Sequence, residues 1–268
     1  MTLLRTRWLP LVAGVALALA TASLGFWQLG RADQKRAAAA LLTQRQQAAP
    51  MASPQWACGD EAPRDANAQS HVLEQAVHRV VRLQGQWDAL HTAFLDNRPM
   101  DGTPGFIVVT PLKLSGPGAC AGRVVLVQRG WLPRDPLDRQ RLPQWDEASR
   151  EVRVEGRVAA QLSRTYAVGE EALPEATTRR PIRQNADEAF WRHWLGQAPL
   201  PGVVLQTRDD GSLPLTLTLS RHWPAPDLGV GKHQGYAAQW FAMSAVALGL
   251  TGWFGVWRPW RVRRAASK

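Results

Sequence analysis

The sequence lacks the residue patterns that mark the common catalytic sites. It has no GxSxG nucleophile elbow, no HExxH, no P-loop and no GxGxxG after a strand-like stretch. Hydrolysis, zinc proteolysis and nucleotide binding through those motifs are therefore unsupported, and a membrane-anchored hydrolase is a remote reading. The carboxylates are scattered and mostly stand beside arginines, where solvated surface pairs are the simplest account. Cysteine is almost missing as well. Cys58 and Cys120 are the only two, and without CxxC or CxxxC spacing they argue against a copper or redox centre. In an exported chain they could pair, closing a loop long enough to contribute roughly 4 kcal/mol, but sequence leaves that pairing open. His71 and His78, in SHVLEQAVH, could share one helical face. Two ligands fall short of the three or four that zinc takes, so a surface role is the better reading.

Acidic residues are missing from both ends: all 22 lie between Asp33 and Asp227. Two apolar stretches, Trp8 to Gly30 and Tyr236 to Trp257, carry no charge at all. At about 1.5 Å per residue each reaches roughly 30 Å, enough to cross a bilayer core. Seven of the 32 basic residues lie beyond these stretches, leaving 25 between them against the 22 acids, so little of the net charge of +10 belongs to the middle of the chain. The high pI is a property of the membrane flanks, which argues against nucleic acid as partner.

Trp8, Trp27, Trp240, Trp253 and Trp257 stand near the ends of the two stretches, where amphipathic rings meet headgroups. A second reading of the first stretch is a cleaved secretory signal, since ALATAS offers an Ala-x-Ala site; the apolar run continues past it through Phe26, Trp27 and Leu29, which favours a span. Either way the following segment is exported. Five basic residues follow the second stretch, which by the positive-inside rule makes the C-terminus cytoplasmic. The expected organisation is a cytoplasmic N-terminus over 1–7, membrane helices over 8–30 and 236–257, an external domain over 31–235 and a basic cytoplasmic tail over 258–268. With no room for an Arg-rich transit peptide before residue 8, a bacterial plasma (inner) membrane with a periplasmic domain is expected.

Outside the membrane, DQKRAAAALLTQRQQ should be helical, continuing the first span or starting anew. Residues 48–70 hold a Pro-rich stretch without periodicity, read as a tether or insertion. Then come short Val/Ile/Leu/Thr-rich stretches bounded by Gly, Pro, Asp or Asn: HRVVRLQGQW, TAFLDNR, GFIVVTPLKL, RVVLVQRGWLP, REVRVEGRVAA, GVVLQTR and LPLTLTLS. They predict a β-rich α+β domain built on a largely antiparallel sheet or small barrel. One helix interrupts them, residues 187–196, with Phe190, Trp191 and Trp194 on one face.

Four blocks, LGFWQLGRADQKRA (24–37), LDNRPMDGTPGFIVVTPLKL (95–114), VVLVQRGWLPRD (124–135) and HQGYAAQWFAMSA (233–245), resemble the surfeit-locus protein one family of cytochrome oxidase assembly factors. They occur in the family's order and cover nearly the whole chain. The resemblance implies two membrane helices around an external domain, no catalysis, and a role in maturing the haem-bearing largest subunit of the oxidase. It further implies haem a as cofactor, the largest oxidase subunit, haem a synthase and the lipid bilayer as partners, and no nucleic acid. Gly231, Lys232 and Gln234 depart from the family's usual neighbours of its membrane-edge histidine, which His233 matches.

His233 is the expected iron ligand, since a neutral imidazole is a common axial ligand for haem. Trp240 follows two turns later on the same face, and Tyr236 one turn later. Across an antiparallel partner, Trp27, Gln28 and Arg31 should lie at the same depth, with Arg31 suited to a haem propionate and Trp27 to stacking. The bland reading makes His233 an interfacial residue that caps or anchors its helix, Arg31 a snorkelling headgroup contact and Trp27 a belt anchor. In the external domain, Asn97, Arg98, Gly105 and Phe106 fit a turn leading into a strand and Arg129, Gly130 and Trp131 the end of another; the glycines serve the backbone, and Arg98 and Arg129 either satisfy buried polar groups or face the oxidase subunit.

Overall fold

The computed structural model describes the chain apart from residues 1–7, 59–64, 117, 146–149, 167–168, 170, 176, 215, 225–228 and 267–268. It divides into two compact units, Met1–Leu42 with Ala225–Lys268, and Thr43–Pro224.

The first unit is helical. Helix α1 runs unbroken over Trp8–Gln47, so the Ala- and Gln-rich segment continues the first apolar helix rather than beginning a new one. Helix α5, Val230–Gly252, passes through a π turn at Trp253–Trp257 into α6, Arg258–Ala266. Both apolar helices are long enough to cross a membrane. Helix α5 starts six residues before the apolar run does, with Gly229 as its N-cap in the left-handed region.

The second unit is a β-barrel with additions. Strands β1 (Val80–Trp87), β3 (Gly105–Leu114), β4 (Val124–Pro133), β5 (Glu151–Ala159) and β7 (Val203–Gln206) pair in the circular order β1-β5-β7-β4-β3-β1. All these pairings are antiparallel except β4 with β7, so the five-stranded barrel is mixed. Closure occurs where Gly85–Trp87 meets Leu112–Leu114. A Cβ on Gly85 would run into the Lys113 carbonyl, so glycine lets the two backbones approach at this seam. Strands β2 (Ala93–Leu95) and β6 (Ile182–Arg183) extend the sheet from β3.

Burial explains the residue patterns. Strands β1 and β5 alternate, with Val81, Leu83, Val152 and Val154 inside and Arg82, Gln84 and Arg153 outside, because water covers their outer face. Strands β3 and β4 are almost continuously apolar because both of their faces are covered. Over β2 and β3, Leu95, Ile107 and Val109 pack under helix α4 (Glu188–Leu195), while Phe94, Phe106 and Val108 meet Trp145 and Leu219 on the other side. Helix α4 meets its expectation closely: Asp187 caps Phe190 N–H, Gly196 ends it at φ 68°, and Phe190, Trp191 and Trp194 are buried together.

Two expectations fail locally. Among the described residues, LPLTLTLS makes one bridge, Ser220 to Trp131, and no strand. Its alternating leucines instead pack directly into the core, Leu217 and Leu219 beside Phe106, after a turn at Pro214. His78 does not share a helical face with His71. Helix α3 (Ala66–Ala76) stops short of it, and His78 sits at φ 72° against β5, where burial and then the Arg157 and Arg45 charges hold its imidazole below the usual range.

The Pro-rich stretch is pinned to the barrel where it is described. Met51 bridges Val81, and helix α2 (Gln55–Cys58) buries Trp56, whose Nε1 donates to the Pro201 carbonyl at 2.8 Å. Cys58 and Cys120 form a disulfide with Cα atoms 5.1 Å apart. The pairing that sequence left open is made because α2 docks beside the turn after β3.

Two buried arginines organise the barrel unit, and Arg129, with Gly130 and Trp131, stands inside β4 rather than at the strand end expected for it. Arg98, 6% exposed, donates to the Asp96, Ser163 and Gln184 carbonyls and to Ser163 and Thr165 Oγ, while its own carbonyl accepts from Trp131 Nε1. Arg129 occupies a β-bulge opposite Val108 and Val109 and lies over the Trp87 ring at 4.3 Å. Beside it, Asp210 accepts from Trp87 Nε1 at 2.7 Å and Ser212 Oγ at 2.9 Å and stands 3.9 Å from Arg129. Both arginines serve the interior.

Burial pushes the Asp210 carboxyl up, but the bonds from Trp87, Ser212 and Gln206 with the Arg129 charge hold it below the usual range. A depressed folded pKa contributes stability above the unfolded pKa that is lost as pH falls through the folded one. Asp210→Asn should cost about 3 kcal/mol at neutral pH, by leaving Arg129 without its carboxylate. It should also flatten the acid limb of a urea-unfolding series on the full chain in detergent. Breaking the disulfide with Cys120→Ser should cost about 4 kcal/mol, read as a lower denaturant midpoint.

Candidate functional site

Small residues, with Gln28 among them, recur on α1 at alternating steps of four and three: Gly14, Ala18, Thr21, Gly25, then Gln28, then Ala32. That spacing keeps one narrow face toward a partner helix. The partner is α5 with its π turn, running antiparallel. Thr251 faces Gly14, Ser244 donates to the Ala18 carbonyl at 2.8 Å, Phe241 covers Gly25, and His233 meets Gln28. The polar members of this seam are satisfied within it. Thr21 Oγ donates to the Leu17 and Ala18 carbonyls, and Thr251 Oγ to Ala247.

At the end of the seam where α5 begins, His233 Nδ1 lies 2.7 Å from Gln28 Oε1. For a neutral imidazole, this contact with an amide oxygen as acceptor matches the Nδ1–H tautomer, whose Nε2 has a lone pair to offer. His233 is not the cap of its helix: Gly229 holds that position, and the His233 backbone N–H makes the helix's first internal bond, to the Gly229 carbonyl. Its side chain is committed across the pair.

Trp240 is half-buried on the same side of α5 as His233, whereas Tyr236 is exposed. Trp27 is exposed on α1, and Arg31, one turn on, lies 5.9 Å over its ring and donates to Gln34 Oε1. Arg31 and Trp27 thus form a pair along α1, next to the Gln28 and His233 contact. Sequence reasoning put Gln28 at the right depth but gave it no role. The available signal was its chemistry, as the only amide within the uncharged run from Trp8 to Gly30.

Among the described residues no group of three or more His, Cys, Asp and Glu gathers as a metal site. The barrel unit has a cavity of about 580 Å³ between α4 and the ends of β4, β5 and β7, lined by Arg123, Arg164, Asp187, Glu188, Trp191 and leucines. Its polar groups are of mixed sign and converge on no single chemistry.

The seam leaves no room at Gly25, where a Cβ would stand 2.7 Å from the Phe241 ring. Gly25→Leu should wedge the helices apart at an overpacking cost of about 1–3 kcal/mol. A disulfide engineered between Ala18→Cys and Ser244→Cys should form readily in the parent chain and several-fold less in the Gly25→Leu background.

No curated protein matches the chain. The model of the SURF1 family matches residues 15–245, from within α1 through the barrel and past His233 into α5. The chain belongs to the SURF1 family, which consists of cytochrome oxidase assembly factors.

Proposed function

We propose that the protein binds haem a at the His233 end of its helix pair and hands it to the largest oxidase subunit. The observation that carries this reading is the His233–Gln28 contact. Haem needs a neutral imidazole with a fixed tautomer, and a second acceptor on the other ring nitrogen supplies it. Gln28 Oε1 occupies that place at 2.7 Å, leaving Nε2 for iron. The half-buried Trp240 adds a flat apolar surface on the same face, and Arg31, held by Gln34 and the Trp27 ring, offers a guanidinium fork to a propionate. Tyr236 borders the same turn from the exposed side. Once passed on, haem a supplies the oxidase with its redox-active iron. The donor is haem a synthase, the enzyme class whose product is this cargo.

The protein is a two-pass membrane protein in this reading, set in a bacterial plasma membrane with both termini cytoplasmic and the barrel periplasmic. The Cys58–Cys120 disulfide supports an oxidising compartment for the barrel, and the arginines after Trp257 support a cytoplasmic C-terminus. A second reading, a scaffold that holds the oxidase subunit without haem, draws on the barrel. Leu137 and Tyr166 are 93% and 88% exposed, on loops adjoining Arg134 and the Thr165 bond to Arg98.

The reduced-minus-oxidised spectrum of full-length protein purified from cells making haem a separates the two. The native chain should carry a haem signal, His233→Ala should abolish it, and Gln28→Ala should weaken haem affinity roughly 10- to 100-fold. A native chain without haem would leave the scaffold. A signal untouched by His233→Ala would remove His233 as ligand.

A further inference from the structure

On the water-covered face of the barrel unit, the register of β1, β5 and β7 lays side chains out in rows. Val80, Arg157 and Leu205 make one row, Arg82 and Glu155 the next, and Gln84 and Arg153 a third. Successive rows are two residues of strand apart, about 7 Å. In the middle row Arg82 Nε and Arg208 Nε each lie 2.8 Å from Glu155, so one carboxylate faces two guanidinium groups. In the third row Arg153 is offset by Glu151. Arg157 has no acidic partner among the described residues. Two residues before Val80, His78 takes the place of a further row, its N–H bonded to the Val158 carbonyl. Beside it Arg45, itself part of the barrel unit, donates to the Glu74 and Val77 carbonyls, and Arg79 donates to the Ala49 carbonyl. The Glu74 carboxylate is 3.7 Å from His71 and points into water. Arg79 Nε is buried without an acceptor among the described residues.

Bonds to carbonyls satisfy the N–H groups of Arg45 and Arg79 but leave their charge in place. Gathering like charges costs stability, and so does the left-handed φ of 72° at His78, a conformation that residues other than glycine rarely hold. Costs of this kind collect where a surface is used. The excess charge runs from the His78 corner through Arg157 to the Arg82 and Arg208 row, two row spacings or about 14 Å. A small anion spans one row only. An extended polypeptide turns every second side chain to one face at the same spacing of about 7 Å, so acidic residues at alternate positions meet successive rows. We infer that the outer face of β1 and β5, from Arg45, Arg79 and Arg157 to Arg82 and Arg208, docks an extended acidic segment of a partner protein. The surface shares no residue with the His233 site, and its occupation needs no haem.

The test uses full-length protein in a neutral detergent and fluorescently labelled peptides whose anisotropy reports binding. One peptide alternates Glu with Thr; a second has the same composition with its glutamates in a single block; a third has Gln in place of every Glu. The alternating peptide should bind several-fold more tightly than the block peptide, and the Gln peptide should not bind. Affinity should fall with salt, as the Debye length shrinks from about 10 Å at 0.1 M to about 3 Å at 1 M. Arg82→Gln with Arg157→Gln should weaken binding several-fold. Arg139→Gln with Arg192→Gln, the same charge change on exposed arginines elsewhere on the barrel unit, should leave it intact. The His78 imidazole, held low by burial and by Arg157 and Arg45, should titrate at higher pH once carboxylates arrive, read from its ring-proton NMR signal. Failure of the alternating peptide to bind would overturn the inference, as would a His78 titration that the peptide does not move. Equal binding of the block peptide would reduce the face to diffuse charge. Displacement by inorganic phosphate at constant ionic strength would make it a small-anion site instead.

Discussion

The contact on which the candidate site depends is the close approach of α1 and α5 along a face of small residues. In a bilayer the hydrophobic effect does not drive two helices together, so packing and interhelical hydrogen bonds must do it. Gly14 and Gly25 have no side chain to hold the backbones apart, and Ser244 bonds the Ala18 carbonyl across the gap. These contacts set one register over several turns. The register then decides which residues meet at the end of the pair, and it brings Gln28 to His233. A shift of one residue on either helix would rotate that meeting by about 100° and break it.

The barrel unit solves a different problem, that of holding charge inside. A five-stranded barrel of this size has little room, and its extra layers cover β3 and β4 on both faces. Arg98 and Arg129 survive burial because each is surrounded by acceptors or an aromatic ring: carbonyls and hydroxyls for Arg98, the Trp87 ring, Ser212 and Asp210 for Arg129. Gly130, at φ 153° beside the bulge, passes so close to Leu219 that a side chain there would clash. Arg98 consequently ties together β2, the segment after β5 and the segment after β6, and presents the loops that carry the exposed Tyr166.

Much of this was legible in the sequence because it follows from local chemistry. Two uncharged runs gave two long helices, and short branched stretches gave six of the seven expected strands. Asp187 and Gly196 marked both ends of α4. The failures are instructive in the same terms. LPLTLTLS has the alternation of a strand, but its leucines find a core without a ladder, since alternation reports burial and not pairing. The Pro-rich stretch read as a tether because no periodicity marks it, yet one tryptophan, Trp56, and one disulfide suffice to dock it. At the site, His233, Tyr236, Trp240, Trp27 and Arg31 were picked out by residue type and depth. That His233 and Gln28 touch, that Tyr236 is exposed, and that Arg31 lies along the Trp27 ring depend on helix rotation, which spacing on a single helix does not specify.

The sequence by itself determined the family, the two apolar helices, the β-rich character of the intervening domain and the place of the histidine just ahead of the second apolar run. Each is a property of residues near one another in the chain: uncharged length, branched-residue runs, ordered motif blocks. The tertiary structure alone decided the closed mixed barrel, with its parallel β4–β7 pair, the Cys58–Cys120 bridge, the inward turn of Arg129 and the partner of His233. Those features join residues separated by tens or hundreds of positions, Gln28 and His233 most of all. Their contact exists only after every small residue between them has set the helix register.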